Sequence, residues 1–282
     1  MIDLTTTAAR PPVIEDPTNL WIVHPLSERL LPAALRAGIH PNAVSFAGMG
    51  LGMLSGYCYW HWQQGPLWIL AGFVLMIGWH IMDGLDGKLA RASGKTSPLG
   101  RVIDGVCDYL AFFFVLVPIV LTLPNWPAVL ALATVSGVFH AVQSAWYEGE
   151  REAWKRRARG IFTTEARPPS GAGIEGIYNL VESRLGNAAR PIDGALAADP
   201  RRLPAYLAAT APLVRRLSVL SANNRTIVIA LACFAGNPRL YWYWEIIGLT
   251  VIAAVMAWNL RRREAEVAGA MTRQPESARV GG

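Results

Sequence analysis

Two long stretches without a single Asp, Glu, Lys or Arg constrain this chain more than any other feature. The first runs from 37 to 82, 46 residues, and the second from 109 to 147, 39 residues. A bilayer crossing needs about 20 apolar residues, so each stretch accommodates a pair of spanning helices with a turn between them. Composition over the 282 residues agrees, at 52% hydrophobic and 16% charged with eleven Trp, where soluble domains carry roughly 25% charged residues. A disordered chain, a collagen-like rod and a secreted disulfide scaffold are excluded. Cys58, Cys107 and Cys233 are scattered without a C-x-x-C pair, so they point to neither a zinc site nor a redox motif.

The pattern predicts an all-α polytopic membrane protein with six transmembrane helices, at about 43–62, 67–83, 99–123, 128–147, 218–235 and 241–260. Gln63-Gln64-Gly65-Pro66, Pro124-Asn125-Trp126-Pro127 and Gly236-Asn237-Pro238 supply the breaks. Residues 1–39 form an N-terminal segment with no basic n-region ahead of an apolar core, so no cleavable signal peptide is expected. Within it, Leu26, Leu30, Leu31, Ala34 and Leu35 fall at helical spacing and predict a short amphipathic interfacial helix. Residues 40–264 are expected to form the transmembrane domain, including a connection at about 148–216 that is too short and interrupted for an independent domain. Residues 265–282 read as a disordered tail.

Basic residues set the orientation. The turns at 61–66 and 124–127 hold no Lys or Arg and 236–240 holds only Arg239, whereas 148–216 is rich in Arg and Arg261, Arg262 and Arg263 close the last span. The positive-inside rule then puts both termini and the long connection in the cytoplasm, and the membrane is expected to be the cell (inner) membrane. The net charge of +6 is a topology signal, and no nucleic-acid partner is expected because the basic residues border membrane spans.

Four carboxylates sit between the two charge-free stretches: Asp83-Gly-Leu-Asp86-Gly87-Lys-Leu-Ala90-Arg91, eight residues, then Gly100-Arg-Val-Ile-Asp104-Gly-Val-Cys-Asp108. Spacings of three and four put each acidic pair on one helix face, and two antiparallel helices would gather all four. Such a cluster is strongly self-repelling in partly desolvated surroundings. Hard divalent cations relieve it, because carboxylate oxygens are the ligands magnesium prefers and magnesium keeps room for phosphate oxygens. Gly87, Ala90 and Gly100 continue the acidic faces without bulk, which lets a flat ligand and its diphosphate approach the backbone.

This segment resembles, position for position, the signature of the CDP-alcohol phosphotransferase family, D-x-x-D-G-x-x-A-R, eight residues, G-x-x-x-D-x-x-x-D. Pro41-Asn42-Ala43-Val44-Ser45 is similar to the stretch that opens the family's first span. The resemblance implies transfer of a substituted phosphoryl group from a CDP-linked alcohol to a second alcohol, with release of CMP, in phospholipid biosynthesis. It implies a two-metal site of Mg2+ or Mn2+ on Asp83, Asp86, Asp104 and Asp108, with Asp108 also the general base. It further implies CDP binding by Asp83, Gly87, Ala90, Arg91, Gly100, Asn42 and Ser45. The partners are then a CDP-alcohol and an alcohol acceptor, at least one of them a lipid, within membrane lipids. A homodimer is a further expectation from the family. Gly94-Lys95-Thr96-Ser97-Pro98-Leu99-Gly100 is similar to the eukaryotic aminoalcohol phosphotransferases, which favours CDP-choline or CDP-ethanolamine with a lipid acceptor over CDP-diacylglycerol with a polar one.

Lys95, Arg101, His140, Ser144, Arg151 and Arg225 are further candidates for acceptor or phosphate binding. His140, Ser144 and Arg151 share a stripe with Tyr147, and Arg225 is an intramembrane charge. His80, three before Asp83, reads as a satisfied buried histidine rather than a ligand. Gly48, Gly52 and Gly56 repeat every four residues, a helix-packing pattern rather than a nucleotide loop. An intramembrane prenyltransferase would show two separated Asp-rich motifs, and a cation or lipid transporter leaves Arg91 and the small residues without a role.

Overall fold

The computed structural model describes residues 11–163 and 189–272, and among these every regular element is helical. A π-helical turn at Asn19–Val23 leads into α1 (His24–Arg36), α2 (Pro41–Trp60), α3 (Pro66–Ala92), α4 (Pro98–Leu121) and α5 (Trp126–Ala158). After the undescribed stretch come α6 (Pro191–Ala198), α7 (Leu203–Arg216), α8 (Ala222–Phe234), α9 (Arg239–Tyr243) and α10 (Leu249–Thr272). A π turn at Trp244–Gly248 joins α9 to α10. Proline marks the starts of α2, α3, α4 and α6, where its missing N–H would have had no intrahelical partner.

By length and apolarity, four helices among the described residues can cross a bilayer: Pro66–Ala92, Pro98–Leu121, Trp126–Ala158 and Arg239–Gly269. A fifth appears if Pro200–Leu220 and Ala222–Phe234 form one broken span. The count therefore falls short of the six expected. Helix α2 is uncharged, but glycines and polar residues dilute its apolarity, and α8 has 13 residues, about 20 Å at 1.5 Å per residue. Two helices run past their expected ends, α3 through the acidic motif to Ala92 and α5 eleven residues beyond Tyr147. The last helix also continues to Thr272 rather than ending near 260, so residues 265–272, expected in the disordered tail, are helical, and the rest of the tail lies outside the described residues.

The chain divides into two compact units. One comprises Asp16–Gly137 and Ala222–Ile246. Its core gathers Tyr59, Met76, Trp79, Ala111, Val115, Ile119, Ile229 and Trp242. Here α2 meets its neighbours through its glycines: a Cβ on Gly52 would lie 2.8 Å from the Ala111 Cβ, and one on Gly56 only 1.9 Å from the Phe114 carbonyl oxygen. The glycine repeat is thus a packing stripe, as expected. At one end of this unit the three base-poor turns meet. Trp62 Nε1 donates to Thr122 Oγ1 at 3.0 Å, and Arg239 Nη2 donates to the Pro124 carbonyl at 2.6 Å.

The other unit comprises, among the described residues, 11–15, 138–163, 189–221 and 247–272. Its apolar core joins Ile14, Trp154, Ile192, Leu196, Tyr206, Leu207, Val214 and Leu260. The described part of the 148–216 connection therefore shares its core with α10 and the N-terminal segment. Arg157, 1% exposed, donates to Asp193, Tyr206 and Glu264, and Arg190 and Arg261 both bind Glu150. Buried charges survive only when paired this way. Burial alone would raise the Asp193 pKa, but hydrogen bonds and charge from Arg157, aided by the Arg190 backbone N–H and Arg156, hold it below the ordinary carboxylate value.

Candidate active site

The site is built by the hairpin of α3 and α4 together with the start of α2. Helix α3 ends in a Schellman turn: Gly94 takes φ +68°, and Lys95 N donates to the Ala90 carbonyl at 3.0 Å. Helix α4 begins three residues later, where Ser97 Oγ accepts the Gly100 N–H at 2.9 Å and Pro98 takes the first helical position. This tight connection sets the C-terminal turns of one acidic helix beside the N-terminal turns of the other. Carboxylate oxygens of Asp83, Asp104 and Asp108 consequently lie within 4.8 Å of one another. Asp86 meets Asp104 in the same cluster, and its Oδ2 accepts a 2.5 Å hydrogen bond from Ser45 Oγ on α2.

Beside the cluster opens a pocket of about 440 Å³, within the size range of small-molecule sites, roughly 300–1,000 Å³. It is lined by Asn42 and Ser45 from α2, Asp86, Gly87, Ala90 and Arg91 from α3, Lys95 to Pro98 from the turn, and Gly100 and Asp104 from α4. A Cβ on Gly87 would lie 3.4 Å from Arg91 Nη1, and one on Gly100 would lie 3.5 Å from Asn42 Oδ1. The small residues therefore keep space next to polar groups. Arg91, Lys95 and the N-terminal end of the α4 dipole make this wall attractive to anions.

The donor set fits a hard divalent cation: all four groups are carboxylates, three with oxygens close enough to face a common point. Asn42, Ser45, Gly87, Ala90, Arg91, Gly100 and Lys95, all expected on sequence grounds, meet at the pocket. The Arg101 side chain lies outside the described residues.

Arg225 is not directed at the pocket. It is buried and donates through Nε to both oxygens of Glu245 at 3.0 and 3.1 Å, so its charge is neutralised inside the helical core. Arg151 is likewise buried, bonded to Glu15 and Glu148 at 2.9 Å each and stacked over Tyr147. Like His140 and Ser144, it belongs to the unit that does not contain the pocket. His80 Nε2 pairs with Thr226 Oγ1 at 2.9 Å, the satisfied buried histidine expected.

Three contributors were not expected. Thr96 and Ser97 line the pocket, and the Ser-Pro pair at 97–98 is a helix-start signal that could have identified the cap. Lys88 Nζ donates to the His24 carbonyl, Ser27 Oγ and Glu28 Oε1 at 3.1, 2.9 and 3.0 Å. It thereby fastens α1 to the back of the acidic helix, and no local sequence signal links these partners.

Comparison with known proteins bears on this hairpin. The family model described as CDP-alcohol phosphatidyltransferase matches residues 38–163. Archaetidylinositol phosphate synthase of Pyrococcus horikoshii is 37% identical over 84 residues, 30% of this chain and 42% of that protein. Cholinephosphotransferase 1 of Bos taurus is 30% identical over 115 residues, 38% of this chain and 28% of that protein. Phosphatidylinositol phosphate synthase of Mycolicibacterium smegmatis is 35% identical over 85 residues, 30% of this chain and 36% of that protein. The chain thus spans less than half the length of each of these relatives. No solved structure matches.

Proposed function

We propose that this chain, whose residues 38–163 match the CDP-alcohol phosphatidyltransferase family model, transfers a substituted phosphoryl group from a CDP-linked alcohol to a second alcohol, releasing CMP. The observation that carries this reading is the convergence of Asp83, Asp104 and Asp108 beside a pocket walled by Gly87, Ala90, Arg91 and Gly100. Asp83, Asp86, Asp104 and Asp108 would hold a pair of Mg2+ or Mn2+ ions, which when bound neutralise charge on the attacking and leaving oxygens.

The rest falls to the chain's own groups. Gly87, Ala90 and Gly100 admit the nucleotide close to the helix backbones. Arg91, Lys95 and the N-terminal end of α4 attract its diphosphate. Asp108 takes the proton of the acceptor hydroxyl as that oxygen forms its bond to phosphorus and the bond to the CMP oxygen breaks. One substrate is a lipid reaching the site from the bilayer.

In this account α2 and α8 complete six crossings, since the three base-poor turns meet at one end of their unit. Helix α1, with Leu26, Leu30 and Leu35 exposed, lies at the surface of the membrane. The pocket faces the cytoplasm, the side that the basic residues mark.

The stretch Gly94 to Gly100 and the similarity to cholinephosphotransferases favour a CDP-aminoalcohol donor and a lipid acceptor. The test offers CDP-choline, CDP-ethanolamine and CDP-diacylglycerol with diacylglycerol or polar acceptors, and identifies the lipid product by mass spectrometry. A phosphocholine or phosphoethanolamine lipid is expected. A product formed only from CDP-diacylglycerol would reverse the substrate assignment and leave the reaction class standing.

A further inference from the structure

We propose that Ser45 is a positioning residue for Asp86, and that it sets the affinity of the acidic cluster for its divalent cation rather than contacting the nucleotide. The inference rests on the metal-dependent reading above and departs from the CDP-binding role that the family resemblance implies for Ser45.

Geometry carries it. A serine hydroxyl has one proton to donate. Two acceptors lie within reach of Ser45 Oγ, the Asp86 Oδ2 atom at 2.5 Å and the Pro41 carbonyl of its own helix at 3.5 Å. The shorter contact is to a charged acceptor, where such bonds are strongest, so the proton is committed to Asp86. Both side chains are buried, Ser45 at 7% exposure and Asp86 at 5%.

Asp86 lies outside the three carboxylates whose oxygens fall within 4.8 Å of one another, Asp83, Asp104 and Asp108, and joins the cluster through Asp104. A hydroxyl fixed on Oδ2 stops rotation of the Asp86 carboxylate and leaves its other oxygen as the atom available to a cation. Helix α2, which contributes no carboxylate, thereby orients one supplied by α3. Groups that orient ligating side chains in this way typically change metal affinity by about 10–100-fold when removed.

The test is Mn2+ titration of the purified full-length protein, followed by the electron paramagnetic resonance signal of free Mn2+, for wild type, Ser45→Ala, Ser45→Thr and Asp86→Asn. Steady-state KM for the CDP-alcohol is measured alongside at saturating Mn2+, and circular dichroism checks the fold of each variant. Ser45→Ala is expected to weaken Mn2+ binding by about tenfold or more while KM stays within about twofold. Ser45→Thr, which keeps the hydroxyl, is expected to restore binding, a rescue that a general packing role would not produce. Unchanged Mn2+ affinity in Ser45→Ala, with KM raised, would overturn the assignment and return Ser45 to the nucleotide. Absence of Mn2+ binding in the wild type would instead overturn the metal-dependent reading on which it rests.

Discussion

Gly87 shows how much of the site is defined by what is missing from it. The position faces the pocket next to Arg91, and a leucine there would fill space that a nucleotide needs. Leucine is a better helix former than glycine by close to 1 kcal/mol, so Gly87→Leu should leave the helix at least as stable. The expected result is a KM for the CDP-alcohol raised at least tenfold with an undiminished melting temperature, measured by steady-state assay and thermal unfolding. Unaltered KM would place the nucleotide elsewhere. Spacing alone exposed this residue and the four aspartates, because each relation lies within one or two helical turns. Arg225 could not be read that way. Its partner Glu245 stands 20 residues further on, past a turn, and nothing local announces that the charge is already answered.

At the scale of the helix, the hairpin of α3 and α4 depends on how closely α2 can approach it. Gly52 and Gly56 let the backbones come together, and Ser55 Oγ donates to the Gly72 carbonyl at 2.8 Å. A methyl group on Gly56 would collide with the Phe114 backbone oxygen, which cannot rotate aside, so α2 and α4 would have to separate. Overpacking of this kind costs about 1–3 kcal/mol. Gly56→Ala should lower the melting temperature and also weaken Mn2+ binding, since displacing α2 carries Ser45 away from Asp86; a variant as stable as wild type would show that the helices have room to spare. The four-residue repeat was legible in the sequence as a packing stripe. The lengths of α3 and α5 were less so, because charge counting ends a span at Asp83 or Tyr147 whereas backbone hydrogen bonding continues without regard to it.

For the molecule as a whole, the division into two compact units is the feature least visible beforehand. Apolar length marks membrane crossings well, but the ion pairs around Arg157 join residues 36 and 107 positions apart. These pairs also predict a pH dependence. Arg157 and its neighbours hold the Asp193 pKa below its unfolded value. Asp193 therefore contributes stability in full above the unfolded pKa, near 4, and loses it as pH falls through the lower folded value. Wild type should lose thermal stability as pH falls below about 4. Asp193→Asn leaves a buried guanidinium short of a partner, and is expected to be several kcal/mol less stable at pH 7 with a flatter acid profile. An equally steep loss in both proteins would assign the acid sensitivity to other groups.

The account stands on a divalent cation and an aspartate base acting together beside the α3 and α4 hairpin, and CMP release from the accepted CDP-alcohol tests it most directly. Wild-type protein should release CMP with Mg2+ or Mn2+ and none after chelation. Asp108→Asn, folded by circular dichroism, should lose activity by about 10²–10⁴-fold, the span attributable to a positioned acid or base. CMP release that persists without metal, or full activity in Asp108→Asn, would contradict it.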